Sequence, residues 1–174
     1  SVEEKARDIL EKLKRVVEKI KEIADRNRRE NEDADREIKR LIEENKKRNE
    51  DLLRRLNVTE DLLRELEEAD KESEKTFKRL DEDVETKNRD SDKKVRDIEE
   101  KIRDVLRKIK DELDKKGVTD ELIKRIKEII ETLEKEVEDL SRENKKKVEE
   151  ILDKVRKVST RNREKLDELD KKVR

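Results

Sequence analysis

Cysteine, proline, histidine, methionine, tryptophan and tyrosine are all missing from this chain, and glycine and phenylalanine occur once each in 174 residues. Each absence excludes something. Without histidine or cysteine, the usual general bases, thiol nucleophiles and transition-metal ligands have no occupant, so no enzymatic reaction, cofactor or metal site is expected. Zero cysteines rule out a disulfide framework and leave the redox compartment unmarked. No apolar run approaches a membrane span and no signal peptide is visible, which points to a soluble protein, cytoplasmic on expression. With no methionine, Ser1 is not a translation start, and the chain is expected to have been released from a tag. The residues that break helices are almost entirely absent.

What is present is charge. Lys and Arg number 52 and Asp and Glu 53, together 60% of the chain against 28% hydrophobic residues. Such a composition resembles that of a disordered chain, but two features argue otherwise. The charges nearly cancel, to a net of -1, so no self-repulsion expands the chain. The apolar residues are also periodic. With no basic excess or basic block, neither nucleic acid nor an anionic membrane is an expected partner.

Two similar marks divide the sequence into thirds, Leu56-Asn57-Val58-Thr59-Glu60-Asp61 and Lys116-Gly117-Val118-Thr119-Asp120-Glu121. Asn or Gly just past a helix can take the left-handed conformation that closes it, and a Thr two residues later can cap the next helix. Val58 and Val118 are placed to cover the end of a bundle, and the acids that follow complement the helix dipole. Ser1 with Glu4 reads as a capping box. The spacing predicts helices over about 2–56, 60–116 and 120–174, with loops at 57–59 and 117–119, in a single domain covering 1–174.

Along the first segment the core stripe reads Ile9, Leu13, Val16, Ile20, Ile23, Asn27, Asn31, Ala34, Ile38, Leu41, Asn45, Asn49, Leu52 and Leu56. The stripe returns on itself from Ile9 to Asn27 to Asn45, five turns each time. That is the period of an unstrained helix, about 3.6 residues per turn, so nearly straight helices with little supercoil are expected. At about 1.5 Å per residue, helices of about 55 residues would be roughly 80 Å long.

Short loops make neighbouring helices antiparallel, so facing positions should have a constant sum. A sum of 118 for the first pair and 235 for the second groups Ile9 with Ile109 and Ile126, Leu13 with Val105 and Ile130, and Ile20 with Ile98 and Val137. The same rule groups Ala34, Val84 and Ile151, then Ile38, Leu80 and Val155, then Leu41, Phe77 and Val158. The fold read from this agreement is all-α, an elongated up-down-up antiparallel three-helix bundle.

Applied to polar residues, the rule groups Asn27 with Ser91 and Asn144, and Asn45 with Ser73 and Asn162, two layers of the same composition one repeat of the stripe apart. Asn31 with Asn88, Asn49 with Asp70, and the flanking Ser141 and Ser159 are candidate extensions. A satisfied polar layer penalises helix slippage that would set it against Leu or Ile. Solvated asparagines, or a ligand or ion site built from these amides, are the alternatives. Pairs such as Glu4 with Arg7 and Glu43 with Lys47 read as helix support. The adjacent acids Glu67 and Glu68 lack an apolar pocket that would fit them for acid–base work.

The duplicated Asn/Ser/Asn layers, the five-turn repeat of the stripe and the loops around Val58-Thr59 and Val118-Thr119 resemble those of computationally designed, parametrically generated three-helix bundles with modular buried hydrogen-bond networks. The resemblance covers the whole chain. It implies a stable, soluble, monomeric scaffold without natural activity, of a kind sometimes split into self-assembling chains. Spectrin-like repeats are the nearest natural comparison, but the helices here are longer, the loops tighter and tryptophan is missing, so their partners are not carried over. The alternatives to a partnerless monomeric scaffold are an elongated spacer or interaction module and a self-associating bundle.

Overall fold

Long stretches free of proline and glycine become three helices in the computed structural model, which describes residues 1–55 and 59–173. They are α1, Val2–Arg55; α2, Glu60–Lys116; and α3, Asp120–Val173. The predicted end of the first helix at Leu56, the stop at Asn57, the covering role of Val58 and the helix end at Arg174 lie outside the described residues.

The helix ends follow from local chemistry. Ser1 Oγ accepts the Glu4 amide at 3.3 Å, and the Glu4 carboxylate returns to within 3.6 Å of the terminal ammonium. Thr119 Oγ1 accepts the Leu122 amide at 3.2 Å, satisfying one of the orphan donors of α3. Gly117 has a φ of 71°, the left-handed conformation that closes α2 and that a side chain would disfavour. Each helix opens on acids (Glu3 and Glu4, Glu60 and Asp61, Asp120 and Glu121) and closes on bases (Arg54 and Arg55, Lys115 and Lys116, Lys171 and Lys172). Those charges complement the helix dipole at both ends.

All three helices pack into an all-α three-helix bundle, and every described position of the α1 stripe, from Ile9 to Leu52, is buried. The contacts gather into two units, Ser1–Arg29 with Asn88–Lys145 and Glu30–Lys87 with Lys146–Arg174.

In the first unit one apolar cluster runs from Ile9 to Ile23 on α1, Val95 to Ile109 on α2 and Leu122 to Leu140 on α3, with Val118 packed against it. Burying each Ile, Leu or Val stabilises by about 1.5–3 kcal/mol. Ion pairs along the α2/α3 flank fix the sense of packing: Lys94 with Glu143, Lys101 with Glu136 and Glu112 with Arg125. Numbers that rise on one helix as they fall on the other mark an antiparallel pair. Lys5 with Asp120 and Lys19 with Glu138 rise together, so α1 and α3 run parallel here.

The second unit has two apolar clusters. The larger is formed by Ala34, Ile38, Leu41, Phe77, Leu80, Val84, Val148, Ile151 and Val155. Leu52, Leu66, Leu166 and Leu169 form the smaller. The polar residues Asn45, Ser73 and Asn162 lie between them in sequence on α1, α2 and α3 respectively, and all three are buried.

Candidate functional site

Asparagine and serine become informative when a helix face carries them inward, because a buried amide or hydroxyl must find a partner there. Asn27, Asn31, Asn45 and Asn49 lie on the buried stripe of α1, Ser73 and Ser91 on that of α2, and Asn144 and Asn162 on that of α3. Among the described residues these eight are the buried polar side chains, and Asn27 is only 2% exposed.

In the first unit the Asn27 amide donates to Ser91 Oγ at 3.1 Å. Asn144 is buried and has an interaction partner. Asn27 Oδ1 is shielded from solvent and meets no protein donor. Ser141 is half-buried on the same helix as Asn144.

In the second unit Ser73 Oγ donates to Asn162 Oδ1 at 3.1 Å. Asn45 is buried, but its carbonyl oxygen meets no donor, and Asn162 Nδ2 meets no acceptor. One turn along α1 the Asn49 amide donates to Asp70 Oδ1 at 2.6 Å, a charge-assisted bond, while Asn49 Oδ1 is buried without a donor. Asn31 of this unit is buried and Asn88 of the first unit half-buried, and each has a partner. Ser159 is half-buried. A groove of about 260 Å³ between α2 and α3 is lined by Ser73 and Asn162, with Thr76, Arg161 and Lys165 around them.

A second polar feature of this unit escapes the constant-sum rule. The carboxyls of Asp35 on α1 and Asp81 on α2 come within hydrogen-bonding reach of one another. Lys39 Nζ lies 2.8 Å from Asp35 Oδ2, whose side chain remains 32% exposed. The shared hydrogen bond with Asp81, followed by the bond to Lys39, holds the Asp35 carboxyl below its ordinary range. Desolvation first, and then the neighbouring Asp35 and Glu85, push Asp81 up to about 6. Asp81 Oδ1 is closed off from solvent with no donor facing it. In sequence the pair is hidden because acids flank the core stripe at many other places.

Elsewhere the charges form surface ladders. Arg40 sits between Glu37 and Glu44, at 2.8 Å and 2.5 Å, and its hydrogen bond draws the Glu37 carboxyl down. Arg36 pairs with Asp33 and Arg142 with Asp139 in the same one-turn manner. Among the described residues no group of three or more acids is arranged to hold a metal ion, and no helix is long and apolar enough to cross a membrane. Compared with protein-family models, curated proteins and solved structures, the chain matches none.

Proposed function

We propose that this chain is a structural scaffold, designed rather than evolved, whose property of use is the alignment of its own helices. It performs no reaction, takes no cofactor and needs no partner to fold, remaining a soluble monomer. The observation that carries this reading is a buried Asn–Ser hydrogen bond in each unit, 3.1 Å long in both, from α1 to α2 in the first and from α2 to α3 in the second, within layers that lie one repeat of the stripe apart on all three helices. A lone buried amide is usually a tolerated defect. Two sets of the same composition, five turns apart, serve as alignment marks, since sliding a helix by a turn would set Asn against Ile or Leu at about 1–3 kcal/mol per stranded group.

The test is joint replacement of Asn45 and Asn162 by Leu. Ser73 can then bond to the carbonyl one turn back on α2, so no new buried hydroxyl is stranded. The melting temperature is expected to hold or rise, while light-scattering mass becomes heterogeneous and amide NMR signals of the second unit broaden or double. An unchanged mass with a single sharp set of signals would remove the alignment role from these asparagines.

A second reading, as a self-associating or interaction module, draws on apolar side chains left partly open. Leu10, Leu106 and Ile129 in the first unit and Leu53 and Leu63 in the second are 36–44% exposed. Ile129 lines a groove of about 620 Å³ with Val105 and Leu133 between α2 and α3. A dimer in sedimentation that Ile129→Glu dissolves would favour this reading over a monomeric scaffold.

A further inference from the structure

The Asp35 and Asp81 carboxyls form a contact that is incomplete as two carboxylates. Both are then acceptors only, and one proton between them supplies the missing donor. The charged groups around the pair neutralise it only in part, since Lys39, which opposes the rise at Asp81, is one cation facing two carboxyls. On α1, Lys39 is engaged with Asp35 Oδ2 at 2.8 Å and Arg36 acts on Asp35 from further away, itself paired with Asp33. On α2, Glu85, one turn beyond Asp81, adds negative charge, while Lys78, almost one turn before it, is exposed. From α3, the apolar side chains Val148, Ile151 and Val155 fill the core of this unit, and Arg156 acts on Glu37 of α1. Asp81 Oδ1, shielded from water and facing no donor, is the group that gains most from a proton.

We propose that Asp35 and Asp81 are a proton-sharing carboxyl pair that ties α1 to α2 and makes the second unit more stable on mild acidification. The direction follows from linkage. Asp81 is raised to about 6 from an ordinary 3.8, so between those values the folded chain holds a proton that the unfolded chain has released. Stability therefore falls as pH rises through this window, and the full cost of two facing carboxylates is present above it. Asp35 is lowered, so its contribution is present above 3.8 and is lost as pH falls through its depressed value. The singly protonated pair, between the two, is the most stable form.

The experiment uses the whole chain. Carboxyl carbon NMR should show Asp81 titrating near pH 6 and, in Asp35→Asn, moving down by the share that Asp35 contributes, with the share due to desolvation and Glu85 retained. In urea unfolding at pH 7.5, Asp81→Asn, which mimics the protonated acid, should lower the unfolding equilibrium constant by about tenfold, discounted for the partial exposure of the pair. At pH 5, between the two values, that advantage should shrink, and it should vanish only below the ordinary 3.8, where folded and unfolded chains are both protonated. Asp83→Asn, two residues away and exposed, should show neither effect. Because many other acids also titrate, the comparison is between these variants rather than between pH values alone. An ordinary Asp81 titration, one that does not move in Asp35→Asn, or an Asp81→Asn advantage no greater than that of Asp83→Asn would each overturn the pair.

Discussion

Built from the same three helices, the two units of this molecule differ in how they divide apolar from polar burial. The first keeps its apolar residues in one unbroken cluster and leaves a single shielded polar atom, Asn27 Oδ1, without a protein partner among the described residues. The second splits its core into a larger and a smaller cluster, with Asn45, Ser73 and Asn162 between them in sequence, and has such atoms on Asn45, Asn49, Asp81 and Asn162. Hydrophobic burial scales with apolar area, whereas each stranded polar atom subtracts about 1–3 kcal/mol. The second unit is therefore the one expected to open first, and native-state hydrogen exchange should find lower protection in residues 30–55 than in residues 3–29 of the same helix.

The largest effects should come from core truncation. Phe77→Ala removes a side chain that is 0% exposed and should cost about 3–5 kcal/mol, with protection lost first in the second unit; Ile20→Ala, about 2–5 kcal/mol, should act first on the first unit. Denaturant unfolding followed by exchange mass spectrometry reads both. Uniform loss of protection in each variant would show that the two units open together, and the contrast would vanish.

Single changes in the polar layers come next. Asn162→Ala takes the acceptor from Ser73 Oγ and Asn27→Ala the donor from Ser91 Oγ, each expected to cost about 1–3 kcal/mol in urea unfolding. A markedly smaller loss for Asn162→Ala would mean that its unpartnered Nδ2 already offsets much of the value of that bond. Smaller still are the changes at the α2/α3 turn. Thr119→Ala should cost about 1 kcal/mol through the lost cap. Gly117→Ala should cost about the same through its φ of 71° alone, since an added Cβ would meet nothing within 4 Å. At the bottom, Lys101→Gln breaks an exposed pair with Glu136 and should change stability by less than about 1 kcal/mol, with the difference shrinking in salt.

Much of the fold could be read from the residues because the signals agreed with one another. The stripe from Ile9 to Leu52 marks the face that α1 buries, and Gly117 and Thr119 mark where α2 stops and α3 starts. Constant sums work because rigid helices, once one register is chosen, leave later layers little freedom. The positions of the asparagines were visible for the same reason, but the aim of their amides was not: spacing places Asn45 beside Ser73 and Asn162 without saying which way its oxygen turns. The Asp35–Asp81 contact was hidden for a different reason. It lies at the edge of the stripe, where 60% charged composition makes acids so common that no pair stands out, and its consequence depends on partial desolvation rather than on spacing.

Phe77 is the sole aromatic side chain in the sequence, and it is sealed inside the second unit. Any ring resonance, ring-current displacement or near-ultraviolet dichroism from this protein thus originates at one address. A fluorinated phenylalanine would act as a single-site gauge of whether that half is intact, read against a spectroscopically silent background.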